Sequence, residues 1–208
     1  MDITQADSLP KKTRIQQRRE KLVLDCALDV FATYGFHGAT IDQIADRAEL
    51  SKPNVLYYFK SKEDIYQSLL QRTLNGWNDS FLAITLDGDP METLEKYVSA
   101  KMDYSFENPL PSRLFASEVM SGLPNTKEAL VTSVRAMVDE KAAIIQTWMD
   151  QGKLRHVDPH HLIFSIWSVT QHYADFAAQI ECLLGGPPDR AHTKAAVIEI
   201  LLRGLRVD

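Results

Sequence analysis

Only two cysteines, Cys26 and Cys182, occur in the 208 residues, far apart and each among apolar neighbours. Neither has a second thiol or a histidine at metal-ligand spacing. That argues against a disulfide framework and a zinc site, and predicts buried free thiols. No apolar run approaches the ~20 residues of a membrane span, and the polar first residues lack the apolar centre of a secretion signal. A cytoplasmic protein with no membrane partner is therefore expected. No segment alternates apolar and polar residues as a strand would, and no internal period recurs. Nucleophile–base pairings, metal-ligand sets and phosphate-cradling glycine loops are missing too, which argues against an enzyme, a metal and a cofactor. His160 and His161 do not alter this: neighbours on a helix point ~100° apart, and no carboxylate completes a ligand set.

Positive charge is scarce overall, with a net charge of −5, so the whole molecule does not look like a nucleic-acid binder. The distribution is uneven. Residues 1–62 carry ten Lys and Arg against eight Asp and Glu, a net of +2, while 63–208 carry thirteen against twenty, a net of −7. Six basic residues (Lys11, Lys12, Arg14, Arg18, Arg19, Lys21) crowd one short stretch beside a single acid, Glu20. A basic patch on an acidic body suits phosphate binding at one end, although a solvated helix face has the same composition.

Capping signals and apolar spacing predict an all-α chain of nine helices. The first spans Arg14–Tyr34, with Leu24, Ala27, Leu28 and Phe31 at helical spacing and Gly35 as its stop. Thr40 to Gln43 is a capping box that opens a short helix, Ile41–Ala48. Ser51 caps another, Lys52–Phe59, with Pro53 in its first turn, and Ser61 to Asp64 starts a long helix to about Leu86. Five more are expected: Met91–Glu107, Ser112–Ser121, Thr126–Gln151, Asp158–Leu184 and Asp189–Leu205.

Two short helices joined by about three residues, with Ile44, Ala45, Leu50, Val55 and Leu56 as small apolar contacts, form a helix-turn-helix pattern. In that arrangement the second helix enters the major groove. Its exposed positions are Lys52, Pro53, Asn54, Tyr57 and Tyr58; asparagine can bond adenine edges bidentately and lysine the acceptors of guanine. A small helical hairpin that merely packs on the rest would show the same spacing.

Residues 27–45 and 51–64 resemble the DNA-binding region of the TetR family of repressors, on the Phe31-x-x-x-Gly35 of the first helix, Thr40, Ile44-Ala45, Tyr58-Phe59 and Ser61-Lys62-Glu63. The resemblance implies an all-helical fold, three helices that bind operator DNA and six that bind a ligand and form a homodimer. It implies phosphate contacts at Thr40, Tyr58 and Lys62, and base contacts from the helix holding Lys52, Asn54 and Tyr57. The division expected is a flexible basic arm over 1–13, a helix-turn-helix domain over 14–61 and a ligand-binding and dimerisation domain over 62–208. Two positions depart from the family pattern. Glu49 stands where the inter-helix turn usually holds glycine, so a slightly different turn is expected, and Leu56 replaces a frequent tyrosine.

Stretches 113–119, 139–145 and 162–177 are similar to the branch of that family that regulates pyrimidine utilisation, which implies a pyrimidine base, uracil or thymine, as effector. Ile163, Trp167, Thr170, Gln171 and Ala174 share one helical face. Trp167 offers a stacking surface, and the Gln171 amide pairs a donor with an acceptor, as a uracil edge requires. Trp77 and Phe81 form a second aromatic stretch beside Gly76, where space is expected, and Arg113 and Glu118 are candidates to complete the polar set. Plain packing explains the aromatics equally well, and a subunit interface explains Gln171. Phe164, Ser168, Asp175 and Phe176 with Ile198, Leu201 and Leu202 are the candidate dimer face. The alternatives are a repressor for a more apolar ligand and a ligand-free architectural DNA binder.

Overall fold

The computed structural model describes residues 13–207, so the expected basic arm over 1–13 lies almost wholly outside the described residues. Those residues contain helices and no strand, and no helix among them is long and apolar enough to cross a membrane. The chain divides into two compact units, one ending at Ser68 and one beginning at Leu69.

The first unit is built on α1 (Arg14–Gly38), α2 (Ile41–Arg47), α3 (Lys52–Tyr58) and the first residues of α4 (Lys62–Leu82). Thr13 opens α1 through a capping box with Gln16. The expected stop at Gly35 is a break inside α1: Gly35 takes φ 67, and one further turn reaches Gly38. Val23, Ala27, Val30 and Phe31 of α1 close over Ile44 and Ala45 of α2 and Val55 of α3, all under a tenth exposed. Arg47 forks onto Asp29 Oδ2 through Nε at 3.0 Å and Nη2 at 2.6 Å, which ties α2 to α1.

The turn between α2 and α3 is left-handed despite its residue. Glu49 adopts φ 54, and Leu50 N–H reaches back to Ala45 C=O at 2.9 Å. A side chain in this conformation costs about 1 kcal/mol. Glu49→Gly is therefore expected to stabilise the protein by up to about 1 kcal/mol, less the extra freedom glycine gives the unfolded chain. A urea midpoint that rises slightly, with unchanged slope, is the expected reading.

The second unit holds the remainder of α4, then α5 (Pro90–Glu107) and α6 (Pro109–Met120). The next helix, α7, starts as a turn at Lys127–Ala129, passes through a π-helical stretch Leu130–Val134 and continues as Arg135–Asp150. Last come α8 (Pro159–Asp175), α9 (Ala177–Leu184) and α10 (Arg190–Leu202). The described helices thus number ten where nine were expected, because the single helix expected over Asp158–Leu184 breaks at Phe176, whose φ/ψ is −115/25. No glycine or proline marks that break in the sequence. Central helix α8 packs against α5, α6, α7, α9 and α10, with Ile163 and Ile166 fully buried along it.

Candidate functional site

The surface of α3 is prepared by the caps before it. Thr40 and Gln43 bond each other's backbone, the Thr40 Oγ1 accepting from Gln43 N at 3.2 Å and Gln43 Oε1 from Thr40 N at 2.8 Å. Ser51 caps α3, whose Lys52, Pro53, Asn54 and Tyr57 all face solvent, Tyr57 at 71% exposure. Lys52 Nζ lies 2.8 Å from Asp42 Oδ2, but both side chains are half or more exposed. Such a pair is worth under about 1 kcal/mol and yields readily to a phosphate or a base. Tyr58 is half-buried and sits edge-on to Tyr57, ring centroids 5.0 Å apart.

Lys62 behaves otherwise than expected. Its ammonium donates to Phe36 C=O at 2.7 Å and Ala39 C=O at 3.0 Å, and lies 4.6 Å from the centre of the Phe36 ring. It clamps the carbonyl-rich end of α1, where a cation is favoured, instead of standing clear for DNA. Arg19, within the basic stretch but not among the expected contacts, is exposed on α1 and shares a concavity of about 410 Å³ with Leu50, Asn54, Tyr57 and Tyr58. The charge is visible in the sequence; which residue of α3 it stands beside depends on the tertiary fold.

The second unit holds a cavity of about 710 Å³, open to solvent beside Met120 and Phe176, with walls from α4, α5, α6, α7 and α8. Trp77, Phe81, Tyr97, Phe115, Trp167 and Phe176 supply its aromatic lining. They meet mainly edge to face, Trp77 on Phe115 at 4.9 Å and Phe81 on Trp167 at 5.7 Å. Trp167 Nε1 donates to the Tyr97 hydroxyl at 2.6 Å, which fixes the indole. Burial pushes the Tyr97 phenol above its ordinary range, so it stays protonated and keeps its own O–H to give. The room expected beside Gly76 is filled: a Cβ there would stand 2.5 Å from the Tyr104 ring.

Several polar groups of the lining residues have unmade bonds. The Trp77 Nε1 is buried and has no hydrogen-bond partner among the described residues. The half-buried Gln171 amide likewise makes no hydrogen bond there. Lys101 of α5 is 3% exposed, and its Nζ lies 5.0 Å from the Trp77 ring centre and 5.5 Å from that of Trp167. Burial brings its ammonium down from 10.5 to about 7, against the upward pull of Asp175. Half-burial in turn holds the Asp175 carboxyl above its usual range, although Ser112 Oγ donates to it at 2.6 Å. Lysine in the middle of an amphipathic helix reads as solvated, so nothing in the sequence singles out Lys101.

Comparison with known proteins decides what kind of molecule carries these two features. Residues 23–69 match the bacterial regulatory proteins of the tetR family, and residues 70–208 match the C-terminal region of YcdC-like proteins. The HTH-type transcriptional regulator RutR of Escherichia coli K12 is 42% identical over 175 residues, 84% of this chain and 82% of that regulator. The chain belongs to the TetR family. It is a helix-turn-helix transcriptional regulator, and its relatives are regulators, not enzymes. The repressor NicS of Pseudomonas putida KT2440 is 29% identical over 146 residues, 68% of each chain. Among solved structures, the TetR-family regulator PfmR of Thermus thermophilus has a TM-score of 0.73 at 22% identity, covering 89% of this chain and 99% of its own. At that identity the likeness speaks for the fold alone.

Within this TetR-family chain the expected ligand residues divide. Trp77, Phe81, Arg113, Trp167 and Gln171 line the cavity. Glu118 does not: it is 2% exposed and caps the approach to α7, its Oε1 accepting from Asn125 N at 2.6 Å and Thr126 N at 3.1 Å. Thr170 does not either, since its hydroxyl turns back on Ile166 C=O at 2.7 Å. Asp175 and Phe176, expected on the dimer face, also line the cavity where the helix breaks at Phe176, and Phe176 remains half exposed. Leu202 is fully buried within the chain and offers nothing to a partner. Phe164 and Ser168 are exposed, and Ile198 and Leu201 half-buried. His160 has a carboxylate beside it after all, Asp139 Oδ1 at 3.1 Å, but no group of three metal-ligating side chains occurs among the described residues.

Proposed function

We propose that this regulator represses transcription as a homodimer bound to palindromic operator DNA, and that a pyrimidine base, uracil or thymine, releases it. Residues 14–61 read DNA, with Lys52, Asn54 and Tyr57 at base edges and Thr40, Tyr58 and Arg19 at phosphates. Residues 62–208 bind the effector and form the dimer, through Phe164, Ser168, Ile198 and Leu201 together with the strongly exposed Leu183 and Ile200. The observation that carries the reading is the flat-walled cavity with the Gln171 amide on its lining. Trp77 and Trp167 are broad surfaces for a ring, and the half-buried Gln171 amide supplies a donor and an acceptor. Resemblance to the pyrimidine-utilisation branch supports the same choice of ligand.

Linkage supplies the mechanism. Two recognition helices must lie one DNA turn apart, ~34–36 Å, to enter successive major grooves. An effector that prefers a dimer of another separation weakens operator binding by the same coupling energy. Leu74, Trp77 and Phe81 of the cavity wall belong to α4, the helix that begins directly after the DNA-reading residues.

The test of the ligand is a melting panel with uracil, thymine, cytosine, uridine and a set of apolar drugs. An effector at 100 times its Kd adds ~2.7 kcal/mol, a rise of roughly 5–10 °C for a chain of this size. A rise with uracil or thymine alone is expected; a rise with the apolar compounds alone would refute the base. On the DNA side, Arg19→Ala is expected to weaken binding about equally on all sequences and to lower the salt slope by about 1, measured on a DNA titration at several salt concentrations.

A further inference from the structure

We infer that the cavity takes a pyrimidine ring carrying a carboxylate more tightly than the bare base, the carboxylate ion-pairing with Lys101 among the aromatic walls. This rests on the cavity being the effector site, and it adds the charge of the ligand to that reading.

Lys101 is almost wholly buried, and its ammonium faces two indole rings at 5.0 Å and 5.5 Å. Ring faces tolerate a cation but give none of its three N–H groups a lone pair in line. Among the described residues it makes no hydrogen bond and no close ion pair. A buried ammonium left so is disfavoured, and an anion that arrives with acceptors in line offsets that.

The charge balance of the lining points the same way. Lys101 and Arg113 are its two cations; Arg113 is exposed to solvent, whereas Lys101 is buried and makes no hydrogen bond to the described residues. Asp175 is its one carboxylate, and Ser112 already occupies one of that carboxylate's oxygens at 2.6 Å. A neutral carbonyl would accept from Lys101 without balancing its charge; a carboxylate does both, with bonds about twice as strong as neutral ones.

Size agrees. A bare pyrimidinedione of about eight heavy atoms is a small tenant for about 710 Å³, a volume in the range that takes drug-sized ligands. A ring with an acidic substituent uses both the indole walls and the cation behind them.

The experiment titrates the full chain by calorimetry with uracil, 6-carboxyuracil, the methyl ester of that acid, and benzoate as a ring acid that is not a pyrimidine. The acid is expected to bind at least ten times more tightly than its ester and than uracil, and Lys101→Met to bring acid and ester level. Melting of the variant in the same buffer verifies that it is folded, and Lys101→Arg is expected to restore the preference for the acid in part. Uracil or the ester binding as tightly as the acid would overturn the inference and leave the base reading standing. Benzoate bound through Lys101 with no pyrimidine bound would overturn the pyrimidine ring, and the inference with it. No binding by any of the four would overturn both.

Discussion

Lys101→Met is expected to raise the melting temperature of the unliganded protein by roughly 5–15 °C while removing its preference for an acidic effector. Methionine fills about the same volume without carrying a charge into a nearly dry site. Replacing a buried, poorly compensated ion by an apolar group stabilises by about 1–4 kcal/mol, and each kcal/mol is worth roughly 2–4 °C in a chain of this length. The sign of the pH dependence follows from the direction of the shift. Lys101 titrates near 10.5 unfolded and about 7 folded, so between those values the unfolded chain holds the extra proton and stability rises with pH. The lysine's cost to the fold is therefore complete below pH 7 and fades toward pH 10.5. The gap between variant and parent is widest in acid and closes as the pH is raised, which melts at about pH 6, 8 and 10 measure directly. A variant that melts lower than the parent at the acid end would mean that Lys101 is well paired in the fold.

Glu118→Ala is expected to act in the opposite direction and almost as strongly. The carboxylate accepts from Asn125 N, Asn125 Nδ2, Thr126 N and Thr126 Oγ1, all in the turn that leads into α7. Truncation strands those donors beside a void. Thr126 is 4% exposed, so water does not replace the lost acceptor cheaply. Each stranded buried donor costs about 1–3 kcal/mol, and a loss of about 2–4 kcal/mol is expected, seen as a fall of roughly 5–15 °C. Glu118→Gln retains the oxygen that takes three of the four bonds and is expected to lose about 1 kcal/mol. A cavity contact, the role expected from sequence, would spare the melt and weaken the effector, whereas a cap lowers the melt first.

These two residues also mark how far the sequence could be read. Caps carry their meaning locally, so Thr40, Ser51, Asp158 and Asp189 announce helix starts that the structure contains. The helix-turn-helix is legible for the same reason, since its turn, caps and small apolar residues lie within about forty positions. Glu49 is legible as a departure, but the left-handed turn tolerates it, because the contacts of α2 with α3 outweigh a strain of about 1 kcal/mol. Depth is what the pattern does not carry. Glu118, Lys101 and Leu202 sit on helices whose sequence pattern allows more than one face to be buried, and only the neighbouring helices choose between them. The break at Phe176 has no glycine or proline to signal it, and beside it Asp175 and Phe176, expected on a dimer face, also join the cavity wall. Trp77, Trp167 and Gln171 stand out because large flat or amide groups at helical spacing are few; Lys101 does not, because lysines are many.

The central claim, that a pyrimidine in the cavity loosens the grip of α3 on DNA, is tested most directly on the operator itself. The full chain selects its site from a random duplex pool, and the selected duplex is titrated by fluorescence anisotropy with and without saturating uracil or thymine. A palindromic site bound at least ten times more weakly in the presence of the base is the expected result, about 1.4 kcal/mol of coupling. Operator affinity unchanged when the base is demonstrably bound would contradict the account.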